Sequence, residues 1–289
     1  MGARPDGSVT SAAVAEAVEA AVFAVERGGQ RLAGESIGTG PPIALLHGVT
    51  ATRRYVVHGS KYLARRGHRQ VAYDARGHGE SDPAPAGSGY AYPELVADLE
   101  AVVDAVVRDR PLVVAGHSMG AHTAVAYALS HRNRVRGLVV IGPVYMGFID
   151  DEVLASWDRL ADALERGGVE GFLEAQAKNL DPAWRETVLR FTRQRMLAHG
   201  HLDAVARALR EVPRSAPFES MSDLEFLDVP ALVVASHDEA DPGHPYAVAA
   251  AYADTLPDAR LVSEPKGAAP LAWQGGRLSR EIATFCERL

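Results

Sequence analysis

Apolar and polar positions along this chain fall into short alternating blocks. Residues 111–115 are an apolar run with no polar interruption, which predicts a strand buried on both faces. Gly116-His-Ser-Met-Gly120 follows, and then an alanine-rich stretch of helical character to Ser130. Similar short runs at 42–46, 70–73, 135–141, 231–235 and 260–262 predict further strands. Helical spacing marks 53–66, with Gly67 as its stop, and also 246–255 and 278–288. In 93–108 the helical period is carried by Leu95, Val96, Leu99, Val102, Val103 and Val106. Near the start, 21–27 and 30–37 flank Gly28-Gly29, the signature of an antiparallel hairpin. Residues 1–10 read as a loose tail and 11–20 as a short helix rich in alanine and glutamate.

From 144 to 228 the pattern changes. Charged and apolar residues mix at helical spacing, with breaks at Gly167-Gly168, Asp181-Pro182, His199-Gly200 and Pro213, and no strand is visible. The expected class is therefore α/β: a mostly parallel central sheet with helices on both faces and a helical insertion late in the sheet. The expected division is a tail over 1–20, a core over 21–143 and 229–289, and the insertion over 144–228. In such sheets reactive groups gather at the carboxyl ends of the strands. His47, Asp74, Ser118, Pro143 and the loop 238–244 all fall there.

Composition narrows the function. With 289 residues and 47% hydrophobic content the chain can bury a large core. A net charge of −7 leaves no basic excess for phosphates, so no nucleic-acid partner is expected. The one cysteine, Cys286, excludes a disulfide framework within the chain and fits a reducing, cytoplasmic setting. No apolar run reaches the roughly 18 residues of a membrane span, and the N-terminus lacks the order of a secretory signal. The spacing of histidines and carboxylates gives no metal site, and no glycine-rich phosphate loop implies a nucleotide cofactor.

The sharpest chemical signal is Gly-x-Ser-x-Gly between a strand and a helix, the setting of a nucleophile elbow. Two residues without Cβ let strand and helix close around a turn that lifts Ser118 Oγ clear. The helix start aims free N–H groups at an anion formed there. Together with Leu45-Leu-His-Gly48 and Asp74-Ala-Arg-Gly-His-Gly-Glu-Ser81, in this order, the chain resembles the α/β-hydrolase superfamily over roughly residues 20–289.

The resemblance implies a serine hydrolase of small esters or related acyl compounds, with the helical insertion as its cap. It points away from epoxide hydrolases and dehalogenases of this fold, which carry an aspartate where Ser118 stands. It makes Ser118 the nucleophile and the backbone N–H groups of Val49 and Met119 the oxyanion donors. Asp241 best matches the acid, with Asp238 as competitor and Glu239 as a third choice. The histidine of the pattern is missing: Gly267 fits its glycine, but Ala268 stands where the imidazole belongs. Substitutes for the base are His244 on the acid loop, His122 one helical turn beyond Ser118, and Lys266. His117, next to Ser118, is expected to point away and to be structural. His47 is expected to hold its loop, and Arg76, His78 and Ser81 to brace theirs. Trp157, Phe172, Trp184 and Phe191 are expected to pack between helices, or else to line an acyl pocket. Without a base a serine hydroxyl is a poor nucleophile, so the alternative is a weak or inactive hydrolase scaffold that binds a ligand.

Overall fold

The computed structural model describes residues 19–237, 241–265 and 276–289. The expected helix over 11–20 lies mostly outside them, and its last residue opens the first strand. Eight strands form one sheet in the order β1-β2-β4-β3-β5-β6-β7-β8. They are β1 (Ala20–Arg27), β2 (Gln30–Ile37), β3 (Pro42–Leu46), β4 (Arg69–Tyr73), β5 (Leu112–His117), β6 (Val135–Ile141), β7 (Ala231–Val234) and β8 (Ala259–Val262). β1 and β2 form the expected hairpin, and from β4 to β8 every pairing is parallel. Gly28 and Gly29 both turn with positive φ, 59° and 79°, as a two-residue turn between right-twisted strands requires.

The helices are α1 (Tyr62–Arg65), α2 (Tyr92–Val102), α3 (Met119–Ser130), α4 (Asp151–Ala177), α5 (Arg185–Met196), α6 (Leu202–Glu211), α7 (Tyr246–Thr255) and α8 (Gly276–Cys286). Strand alternation divides the core. Ala44, Leu46, Val114, Leu138 and Val140 face α2, α3 and α7 through Leu99, Ala124, Val125 and Tyr252. Ile43, Leu45, Val113, Val139 and Leu232 face α8 through Leu278, Ile282 and Phe285, three residues at helical spacing. Charged interruptions are few in β5 and β6 because both faces are covered.

The expected helix over 53–66 is much shorter. A 3₁₀ turn covers Arg53–Tyr55 and only Tyr62–Arg65 is α-helical, because the backbone reverses at His58 (φ 50°) and Gly59 (φ 71°). α2 ends in a wide turn, Val103–Val107, closed by Arg108 at φ 64°.

Between β6 and β7 stand only helices, broken where the glycines and prolines fall. α4 bends at Gly168 (φ 58°), α5 starts beyond Asp181-Pro182, and His199-Gly200 separates α5 from α6. This layer packs onto the sheet's carboxyl end: Leu164, Phe172, Met196, Val205 and Leu209 share a cluster with Val49, Tyr90 and Met119. Among the described residues no helix is long and apolar enough to cross a membrane.

Candidate active site

The ends of four strands stand level. Leu46 pairs with Gly116, His117 with Ile141, and Ile141 with Val234, so the loops after β3, β5, β6 and β7 meet. Ser118 sits at their centre with φ 52° and ψ −116°, a conformation costing on the order of 1–3 kcal/mol for a residue with a side chain. Its N–H donates to Ile141 O at 2.9 Å, which holds the turn against β6. The two elbow glycines are obligatory by close approach. A Cβ on Gly116 would lie 2.0 Å from Gly120 O, and one on Gly120 would lie 2.2 Å from Leu46 O. The first turn of α3 begins at Met119, so its leading N–H groups have no intrahelical acceptor and face the space above Ser118.

The loop after β3 is braced by imidazoles. His47 Nε2 accepts from Ala75 N at 2.9 Å, so its Nδ1–H donates to Gly48 O at 2.8 Å. Burial, with His78 adding, pushes the His47 pKa down to about 3 and keeps the ring neutral. The two nitrogens of His78 face Arg76 O and Val49 O, each at 2.8 Å; a neutral ring donates to one of them. Arg76 grips Asp98 through Nε and Nη2, both at 2.7 Å, and both residues are buried. Ser81 Oγ donates to Asp74 O at 2.6 Å, while Arg53 pairs with the Asp74 carboxylate. These groups hold loops in place, as expected.

The structure gathers two sequence candidates, Asp241 and His244, together with His117. His244 Nδ1 bonds Asp241 Oδ2 at 2.8 Å. The His244 ring lies over Gly142, where an added Cβ would sit 3.2 Å from His244 Cδ2 and 3.5 Å from His117 Nε2. The His117 and His244 rings are 4.8 Å apart. His117, expected to stand away from the chemistry, therefore packs against the acid loop, and its Nδ1 would be 3.0 Å from a Cβ on Gly48. Burial, then the neighbouring His244, pushes the His117 pKa down to about 3. Burial would also lower His244, but the Asp241 charge and hydrogen bond outweigh it and leave the ring above its ordinary value. Burial in turn opposes ionisation of Asp241, and the His244 charge and bond hold that carboxyl well below the usual range.

His122 is buried in a structural role. Its Nε2 accepts from Val144 N and Tyr145 N at 3.0 and 3.2 Å, and its Nδ1 meets Tyr92 Oη at 2.9 Å. It ties α3 to the first residues after β6. Asp238, Glu239, Lys266, Gly267 and Ala268 lie outside the described residues.

Two features escaped the sequence. Buried Glu264, just past β8, accepts from Ser236 Oγ at 2.8 Å and from His237 N, and so steadies the loop after β7. Sequence spacing gave no metal cluster, yet His117, Asp241 and His244 bring ligand-capable atoms within 4.8 Å of one another. The Asp241–His244 bond already engages one oxygen and one nitrogen of that set.

A family model described as alpha/beta hydrolase fold matches residues 41–275. The chain belongs to this family. Among solved structures, this chain resembles a thermophilic esterase from Thermogutta terrifontis, with TM-score 0.75 and 23% identity over 93% of this chain and 97% of that one. It likewise resembles an enol-lactonase from Burkholderia xenovorans, with TM-score 0.69 and 22% identity over 93% and 98% of the two chains. Both likenesses speak for the fold. In sequence the chain is 28% identical to a putative carbamate hydrolase from Variovorax paradoxus over 78% of this chain and 84% of that protein. It is 36% identical to epoxide hydrolase 2 of Siraitia grosvenorii, a match that covers 36% of this chain and a third (33%) of that enzyme.

Proposed function

We propose that this member of the family hydrolyses a small ester or related acyl compound through Ser118. The observation that carries the reading is the Asp241–His244 pair, bonded at 2.8 Å on the loop that meets the elbow at His117. It supplies an imidazole on the active side of the sheet, although Ala268 stands at the usual position. Ser118 Oγ attacks the acyl carbon and its proton passes to His244. Asp241 orients the ring and stabilises the imidazolium. The N–H groups of Val49 and Met119 hold the oxyanion. The bond to the leaving alcohol then breaks, the alcohol departs with the proton, and water repeats the attack to release the acid and restore Ser118. α4 to α6 act as the cap that excludes water from these steps.

A fluorophosphonate probe tests the nucleophile: it labels the wild type and leaves Ser118→Ala unlabelled. Hydrolysis of p-nitrophenyl acetate tests the base, with His244→Ala lowering kcat/KM by about 10²–10⁴. Unchanged turnover in His244→Ala removes that histidine from the mechanism.

The second reading is a ligand-binding protein on a hydrolase scaffold. It is favoured by the Ser118 hydroxyl, which has no hydrogen-bond partner among the described residues. Equal ester hydrolysis by wild type and Ser118→Ala supports it. A rate gained in Ala268→His shows that the remaining machinery is intact.

A further inference from the structure

Arg195 differs from the ion-paired arginines around it in the helical layer. Two residues earlier Arg193 pairs with Glu170, and on α6 Arg210 pairs with Asp162 and Glu165. Just beyond α6, Arg214 pairs with Asp158. Arg195 makes no ion pair among the described residues. Its one hydrogen bond runs from Nη2 to Thr192 Oγ1 of its own helix at 3.2 Å. Its Nε is buried and has no hydrogen-bond partner among the described residues.

The end of α5 that carries Arg195 is anchored over the elbow. Next to it, Met196 is fully buried in the cluster that holds Val49 and Met119. Four residues on, His199 Nδ1 accepts from Gly79 N, and Gly200 N donates to Gly79 O, both at 3.0 Å. The guanidinium charge is felt by Tyr55, His58, His117, Asp241 and His244. These residues come from the loop after β3, the elbow and the loop after β7, which meet at the carboxyl end of the sheet. The one carboxylate of that set, Asp241, is already bonded to His244.

Burying a guanidinium donor without an acceptor is costly, and the cost is offset where a ligand brings the anion. A carboxylate matches the planar fork of an arginine with two parallel hydrogen bonds. We propose that Arg195 forms a subsite for a carboxylate, so that the substrates are esters bearing a free acid group on the acyl side. The subsite rests on the Ser118 reading for its link to hydrolysis, but its binding chemistry can be tested alone.

The binding test uses Ser118→Ala protein, titrated calorimetrically with the monoanilide of glutaric acid and with the methyl ester of that anilide as the uncharged counterpart. The acid binds more tightly than the ester. Adding Arg195→Gln, or Arg195→Met to keep the aliphatic stem, weakens the acid by about 10- to 100-fold and closes the gap between the two ligands. Arg195→Lys keeps part of the preference. Thermal unfolding of each variant establishes that it is folded before titration, and Arg195→Lys carries the comparison where the neutral variants do not fold.

In the enzyme with Ser118 intact, kcat/KM for mono-p-nitrophenyl glutarate relative to p-nitrophenyl acetate falls by a similar factor in Arg195→Gln. Equal affinity for acid and methyl ester in the starting protein overturns the proposal. So does a preference that survives loss of the guanidinium. If the acid binds through Arg195 and neither ester is turned over, the subsite stands and the serine-hydrolase reading falls.

Discussion

Replacing Gly120 by alanine tests how the elbow couples packing to chemistry. A Cβ there would meet Leu46 O at 2.2 Å, Leu46 C at 2.5 Å and His47 O at 2.8 Å, all backbone atoms. No rotamer relieves the overlap, so β3 and α3 must part by about 1 Å to restore ordinary contact. Overpacking of this kind costs about 1–3 kcal/mol or more. The same movement carries His47-Gly48-Val49 away from Ser118, and a misplacement of about 1 Å costs on the order of 10²-fold in rate. Gly167→Ala is the control: its Cβ meets nothing within 4 Å, and the substitution should gain about 0.4–1 kcal/mol. Urea unfolding reads the stability of both variants, and the labelling rate with a fluorophosphonate reads the elbow. Gly120→Ala with the wild-type midpoint and labelling rate would refute the reasoning, because the collision would then be absorbed without displacing either element.

Two further outcomes concern buried charge. Asp98→Ala strips Arg76 of its bidentate partner in a site where both residues are buried, and should cost about 3–5 kcal/mol, read as a lower urea midpoint; a midpoint within error of the wild type counts against an intact buried pair. Acid should destabilise the fold well above the carboxylate range. Burial holds His47, His117, His122 and His199 near a pKa of about 3, so between that value and 6.5 the unfolded chain binds protons that the native one does not. Each such ring removes about 1.4 kcal/mol per pH unit as the pH drops below 6.5. His244 acts with the opposite sign: its raised pKa contributes stability in full below 6.5 that is lost as the pH climbs through its folded value. Asp241, depressed by the same partner, contributes above 3.8 and loses that contribution as the pH falls. A urea midpoint that stays flat from pH 7 to pH 5 sinks the account of the four neutral rings.

Periodicity made most elements legible because the sheet is covered on both faces. The run 135–141 and the helix 246–255 coincide with β6 and α7 residue for residue. The insertion was readable through its breaks, since glycine and proline act locally on the backbone. The segment 53–66 departs from one long helix because the backbone reverses at His58 and Gly59, the first a positive φ on a residue that has a side chain, and because Arg53 is drawn to Asp74 across the fold. At the site, the elbow was legible because steric contact forces its two glycines. The meeting of His117 with His244, the burial of Glu264 and the isolation of Arg195 were not. Each depends on neighbours supplied by remote loops, and no local pattern records them.

The turn between α5 and α6 is stitched to the segment after β4 by Gly79 N to His199 and Gly200 N to Gly79 O. One residue before Gly79, His78 reaches Val49 O on the loop after β3. Swinging the helical roof outward therefore tugs on the cradle where negative charge would collect. Admission of a ligand and readiness of that cradle share one set of fastenings, so a change that loosens the roof should blunt the chemistry beneath it even when no reacting group has been touched.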